Sequence, residues 1–497
     1  MELKGARWLG AAAIAVAAAA APAAWPAAPA FQSRVPIEKV REATRSLVEL
    51  ASFPSASADG AGVAATADWL RRQFTALGFS TTILAGEGNP LVFARRDVAP
   101  GAASVLFYLH YDTQPPGPKE DWGSTEGNPF APRLLSGRWD APGVLGLRAE
   151  DLDAESMKEA RLYARGAADD KAPIVMHLRA LQDWLKEPAA ARLGLKFILD
   201  GEEEAGSPHI RSALQRHADL LKADLLVLCD GPMDALGRPS IYLGARGDMH
   251  MKLSVRTAAA SGHSGNYGLL PNAAWRLASL LATMKDVSGK VTVEGFFDGV
   301  TPPTPSEREA LAEASRAEPV IAAQFGVPRF EGDPEIPYYE RLVFSPHLII
   351  NQLSSGRAGN QIPVVAEALL EARLVTRQDP AHVFAAIRRH VRDRMPDAGI
   401  ELLDATPAGR MDPSDPVIAH AIAAVGRAAG GPVLVYPSLG GTLPLLDSFA
   451  SAGYKYVGLP LVNFDNNQHV ANENVRVAAI VDGIAFLGKL YRSLAGD

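Results

Sequence analysis

Five side chains in this sequence carry the donor atoms of a metal site: His110, Asp169, Glu204, Asp230 and His469. Two are imidazoles and three are carboxylates, a donor set that suits zinc, with cobalt or manganese as substitutes. Five protein ligands are too many for one catalytic zinc that keeps an open position. They are about right for two metals that share a bridging carboxylate, roughly 3.5–4 Å apart. Such a pair clamps an attacking water and a carbonyl oxygen, and lowers the pKa of the water to about 7. A further carboxylate must then take the proton. The run Glu202-Glu203-Glu204 offers one beside a ligand.

Each donor sits where an element must deliver it. Val105 to Leu109 is an apolar run, broad enough for a strand buried on both faces, and it ends in His110-Tyr111-Asp112 before Pro115-Pro116. Strand alternation puts residues 110 and 112 on one face. Asp169 and Asp170 follow Gly166 and precede a helical pattern over 172–185, where carboxylates also serve as caps. Strand 193–199 ends in Asp200 and the three glutamates, and strand 224–228 ends in Cys229-Asp230. A solvated charge run is the ordinary explanation of three glutamates; a cation site is the other. Ligands in open α/β sheets bind outside the carboxyl ends of strands, so three such endings point to one site.

The remaining pattern gives helices over 36–50, 63–77, 208–221, 271–284, 381–394, 416–428 and 475–493, and strands at 81–84, 90–94, 249–257, 347–353, 366–375, 400–403, 433–435 and 455–458. Residues 117–160 are irregular and read as a long surface excursion beside the strand ends. The βαβ-like alternation stops near Arg246 and resumes at Asp412. The expected architecture is therefore an α/β catalytic domain, a mixed sheet flanked by helices, interrupted by an inserted α+β lid or dimerisation domain. The boundaries are 1–30 for a signal peptide, 31–246 and 412–497 for the catalytic domain, and 247–411 for the insertion.

With 497 residues the chain exceeds a single core. Apolar residues make up 47% and charged residues 21%, a globular balance, and the net charge of −7 argues against a nucleic-acid or anionic-membrane surface. Lys4 and Arg7, the apolar stretch 9–21 and Ala28-Pro29-Ala30 form a secretory signal, so the mature protein is expected to be exported, periplasmic or secreted, with no membrane span after cleavage. Cys229 is the only cysteine, which excludes an intramolecular disulfide and a cysteine-cluster zinc site.

In their order, His110-Tyr-Asp-Thr-Gln-Pro-Pro116, Arg165-Gly-Ala-Ala-Asp-Asp-Lys171, Glu203-Glu-Ala-Gly-Ser207, Cys229-Asp230, Gly262-His-Ser-Gly265, Asn360-Gln-Ile-Pro363, Gly440-Gly-Thr-Leu-Pro444 and His469 resemble the dinuclear zinc peptidases of family M twenty. That family includes carnosinase, carboxypeptidase G, aminoacylase and succinyl-diaminopimelate desuccinylase, and the wording after His110 is most similar to the carnosinase-like dipeptidases. The resemblance implies two zinc ions per subunit, one on His110 and Asp230, the other on Glu204 and His469, with Asp169 bridging. It implies that Asp112 orients His110, that Glu203 is the general base, and that His263 stabilises the oxyanion, often in the partner subunit's site. It further implies that Asn360 aids His263, that Thr442 helps hold a terminal carboxylate, and that the inserted domain forms a homodimer. Thr442 stands where the family has Ser, and Ala164 and Ala172 where Gly is common. Glu202 is left over as a solvated acid, and the eight other histidines (177, 209, 217, 250, 347, 382, 390 and 420) match no motif.

Three functions compete. The first is a zinc-dependent exopeptidase that hydrolyses dipeptides or C-terminal peptide bonds through a metal-bound hydroxide. The second is an N-acyl-amino-acid amidohydrolase using the same metals. The third, a non-catalytic periplasmic binding protein, is disfavoured because every ligand and Glu203 are present. No Gly-x-Ser-x-Gly frame surrounds Ser264 or Ser438, which argues against a serine hydrolase.

Overall fold

The computed structural model describes residues 35–84, 86–98, 101–357 and 359–496; the signal stretch 1–30 lies outside them. In chain order the strands of the eight-stranded sheet and of the insertion's four-stranded sheet are β1 (Ser80–Leu84), β2 (Leu91–Arg96), β3 (Ala103–His110), β4 (Leu193–Asp200), β5 (Leu225–Leu228) and β6 (Ser240–Tyr242). Then follow β7 (Gly247–Arg256), β8 (His347–Ser355), β9 (Val365–Leu374), β10 (Gly399–Thr406), β11 (Leu434–Tyr436) and β12 (Tyr456–Gly458). The eight-stranded sheet has the order β1-β2-β4-β3-β5-β12-β6-β11. Its centre is parallel: β3 runs with β4 and β5, and β5 with β12, while β1 and β2 close the edge antiparallel.

A parallel centre needs both faces covered, and it has that cover. Against one face pack α1 (Ile37–Ala51), α2 (Gly60–Ala76) and α3 (Ala172–Trp184), with the two C-terminal helices Pro416–Ala429 and Val477–Leu494, in one cluster that includes Val105, Phe107 and Leu109 of β3. Leu106 and Tyr108 of the same strand point the other way, against Ile210, Leu214, Leu445 and Phe449. The helix expected over 208–221 is two, Ile210–Arg216 and Ala218–Leu221, broken at His217.

The four strands β8-β9-β7-β10 form a separate antiparallel sheet. Strand β7 alternates buried and half-buried residues along its length, and its inner Met249, Met251, Leu253 and Val255 meet Leu277, Leu280, Ile387 and Val391. Residues 349–355 of the edge strand β8 are all exposed. Buried Arg246, at the first crossing between the sheets, donates to the carbonyls of Leu342, Ser345, Arg373 and Leu374.

Two regions differ from the sequence reading. Residues 117–160 are not a loose excursion, because Arg133–Leu135 and Gly146–Leu147 join Arg161–Tyr163 and Asn474–Arg476 in a small sheet. Residues 305–344 carry α4 (Pro305–Ala314), α5 (Glu318–Phe325) and α6 (Tyr338–Phe344). These belong to the insertion in sequence, yet they pack on the catalytic domain. Ala314 meets Leu434 and Tyr436, Ile321 meets Ala235, Tyr339 lies 5.1 Å from the Tyr436 ring, and Glu313 pairs with Arg238 at 2.9 Å. Helices of seven to ten residues leave little periodicity to read. Among the described residues no helix is long and apolar enough to cross a membrane.

Candidate metal centre

The central strands end side by side. His110 is level with Asp200 across β3 and β4, and Tyr108 with Leu228 across β3 and β5. His110, the glutamate run and Asp230 therefore open at the same edge of the sheet. Asp169 arrives from the turn before α3, and His469 from the loop after β12. The ligand atoms form two groups, His110–Asp169–Asp230 and Asp169–Glu204–His469, each within 4.8 Å. Asp169 is common to both. Its Oδ1 lies 2.9 Å from His110 Nε2, and its Oδ2 lies 2.9 Å from His469 Nε2, which is 3.3 Å from Glu204 Oε2. One carboxylate thus turns one oxygen to each group.

The charges fit cations. Asp169, Glu203, Glu204 and Asp230 crowd a buried space with only two imidazoles among them. Burial and the charge of Asp169 raise Glu204 to about 7 and Asp230 to about 6. Burial, with Asp230, Glu204 and Asp169 nearby, pushes Glu203 well above the usual carboxylate range. Burial opposes a charge on His110, but Asp112 and Asp169 outweigh it and hold the ring protonated well above its ordinary range. The bond to Asp169 raises His469 to about 9. A metal that displaced those protons would relieve both the repulsion and the uncompensated burial.

Further groups hold the candidate ligands in place. Asp112 stands 3.4 Å from His110 Nδ1, and its carboxylate also accepts from the amides of Glu203 and Glu204 and from the Ser57 hydroxyl. It ties His110 and the Glu203–Glu204 turn together. Gln114 donates from its side chain to Glu204 at 2.8 Å. Glu473, four residues beyond His469, is wholly buried. It accepts from Arg165 Nη1 at 2.9 Å, from the amides of Gly166 and Ala168 at 2.9 Å, and from the amide of Asp169 at 3.0 Å. One carboxylate thereby joins the turn of the shared ligand to the loop of His469. Gly166 has φ 76°, and a Cβ there would meet Thr113 at 2.4 Å, so only glycine makes this turn. Asp465 anchors the other end of the His469 loop through Arg161 and Arg476, each at 2.6 Å.

The remaining predicted residues divide. A cleft of about 800 Å³ includes Asp169, Glu203, Glu204, Asp230, His469 and Thr442 in its lining. Thr442 Oγ1 accepts from Arg373 Nη1 of β9 at 2.8 Å, so the inserted domain reaches this end of the cleft. Arg373 was not singled out in the sequence, where it is one charge in an alternating strand. His263 and Asn360 do not line the cleft. They are exposed neighbours on the insertion: the Asn360 carbonyl accepts from the Ser264 amide at 2.7 Å. Glu202 is a correction. It is 8% exposed rather than solvated, and accepts from the Asn89 amide and pairs with His209, both at 2.8 Å. His177 is an ordinary buried residue between Tyr491 and Cys229.

The model of Peptidase family M20/M25/M40 matches residues 144–493. The chain belongs to this peptidase family. It is a metal-dependent hydrolase, with the catalytic-plus-lid fold of the family. A metallo-carboxypeptidase of the family from Sulfolobus solfataricus has a TM-score of 0.76 at 26% identity, covering 91% of this chain and 99% of its own. Human carnosine dipeptidase 1 has a TM-score of 0.73 at 21% identity, over 93% of this chain and 100% of its own, a likeness of fold. The cysteinylglycine-S-conjugate dipeptidase of Corynebacterium striatum is 25% identical over 394 residues, which are 76% of this chain and 78% of that protein. The beta-Ala-His dipeptidase of Rattus norvegicus is 23% identical over 423 residues, 82% of this chain and 80% of that one.

Proposed function

We propose that this protein is an exported dinuclear zinc dipeptidase, with cobalt or manganese able to replace zinc. The observation that carries the reading is the shared Asp169 between two ligand groups, with Glu203 beside them. His110, Asp169 and Asp230 would hold one ion, and Asp169, Glu204 and His469 the other. Bound there, the pair supplies Lewis acidity at the scissile carbonyl and acidifies the attacking water. Glu203 takes the proton of that water and returns it to the leaving amine. Thr442, whose hydroxyl oxygen accepts from Arg373 and leaves its proton free to donate, receives the substrate's terminal carboxylate. The named dipeptidases among the relatives support a dipeptide over a longer chain.

His263, with Asn360, is assigned to the oxyanion of a partner subunit's site, since neither lines the cleft of its own chain. A homodimer through the inserted domain would supply it. The exposed edge strand β8, with Ile349, Ile350 and Leu353 open to water, is the surface offered for it. Size-exclusion with light scattering tests this; a fully active monomer would overturn the trans assignment. The main reading is tested by incubating zinc-loaded mature protein with dipeptides, tripeptides and N-acyl amino acids and identifying products by mass spectrometry. Cleavage of dipeptides is expected. Cleavage of N-acyl amino acids alone would make the protein an amidohydrolase, and cleavage of none would overturn both.

A further inference from the structure

The cleft has a second kind of wall. Its charged lining residues are Asp169, Glu203, Glu204, Asp230 and His469, all of the metal centre. Neither Lys nor Arg lines it, nor any further acid. Its apolar lining includes Pro232, Phe325, Phe464 and Val470. Phe325 is 65% exposed and Val470 58% exposed, so two large apolar side chains face water beside a polar site. Exposed apolar surface in a cleft marks a place where something apolar is received.

That wall is built on fixed supports. Phe325 is the last residue of α5, which Gly326 ends in the left-handed conformation. The helix is anchored by Ile321 against Ala235 and by the ion pair of Glu318 with Arg341. Phe464 packs on the same cluster. Val470 follows the ligand His469, so its place is set with the metal centre. Thr442, held by Arg373, stands on a different loop.

We propose that Phe325 and Val470 form an apolar subsite for the side chain of the first substrate residue, the one that supplies the scissile carbonyl. The protein then prefers dipeptides whose first residue is large and apolar over those beginning with glycine or an acid. This rests on the reading of Thr442 as the carboxylate end. An apolar first side chain covers the two exposed residues, whereas an acidic one meets no lysine or arginine lining that wall and faces the carboxylates of the centre.

The test compares Phe-Gly, Leu-Gly, Gly-Gly and Asp-Gly by kcat/KM on the zinc-loaded protein, and by calorimetric binding to the zinc-loaded Glu203→Gln variant. Phe-Gly is expected to exceed Gly-Gly by about tenfold or more in both, the scale set by apolar pocket contacts. Phe325→Ala and Val470→Ser should each move the Phe-Gly to Gly-Gly ratio toward one, and Phe325→Leu should keep most of it. Phe325 is mostly exposed, so its loss should not unfold the chain. Equal kcat/KM and equal binding for Phe-Gly and Gly-Gly would overturn the subsite, as would a ratio unmoved by both variants. If no dipeptide is cleaved, the proposed activity fails, and binding to Glu203→Gln still decides the subsite.

Discussion

The two ligand groups share Asp169 but are built differently. His110 and Asp230 stand at the ends of adjacent parallel strands, 0% and 8% exposed. His469 stands on a loop at φ 65°, with a side chain 52% exposed. His110 and Asp230 of the first group are set by the sheet. The second depends on a loop that other residues must hold, with a non-glycine residue in a left-handed conformation that costs about 1–3 kcal/mol. The strand-end group should therefore keep its metal, and the loop group should exchange it.

The largest effect should spare both groups. Glu203→Gln is expected to retain the metals and the fold while losing about a hundredfold or more in turnover, the scale of a general base. Near-normal turnover would place the base elsewhere in the glutamate run. The sharpest test of the asymmetry is His110→Ala against His469→Ala, read by metal content after dialysis. His469→Ala should lose one ion and keep the other, whereas His110→Ala should also disturb Asp112 and the Glu203 turn that it supports. Equal losses would erase the distinction between the groups. Glu473→Gln should weaken metal retention by about tenfold to a hundredfold, as loss of ligand support does, while leaving all five ligands in place. Competition with a fluorescent chelator measures it. The smallest effect is expected at Asp465. Burial tends to raise its pKa, but Arg161 and Arg476 outweigh that and hold it below the usual carboxylate range. Its contribution is therefore present above the unfolded value near 4 and is lost as pH falls below it. Asp465→Asn should cost about 1–3 kcal/mol in urea unfolding at neutral pH, and less in acid.

The strand-end half of the site was legible because apolar runs ending in His or acid announce themselves. His110, the glutamates and Asp230 each close such a run, and the structure sets those strands side by side. The loop half was legible only in part. His469 was found by its place in the family's order of motifs, but Glu473 was not singled out. In sequence it is one acid in an asparagine-rich loop, and its partners, the turn at 165–169, lie some 300 residues earlier. Glu202 reads as solvated in the sequence because its partners, Asn89 and His209, come from separate elements. Arg373 alternates with apolar residues like any strand charge, and only the fold puts it on Thr442. The three-residue strand β6 and the helices α4 to α6 are too short to leave a period.

On the proposed reading one carboxylate, Asp169, joins two metal positions. Elemental analysis of the purified active protein beside Asp169→Asn, after equal dialysis against trace zinc, tests it most directly. Two ions per chain are expected in the unaltered protein, and loss of both with the turnover in the variant, measured where circular dichroism shows the fold intact. One ion per chain in fully active protein, or two ions retained by Asp169→Asn, would contradict the shared centre.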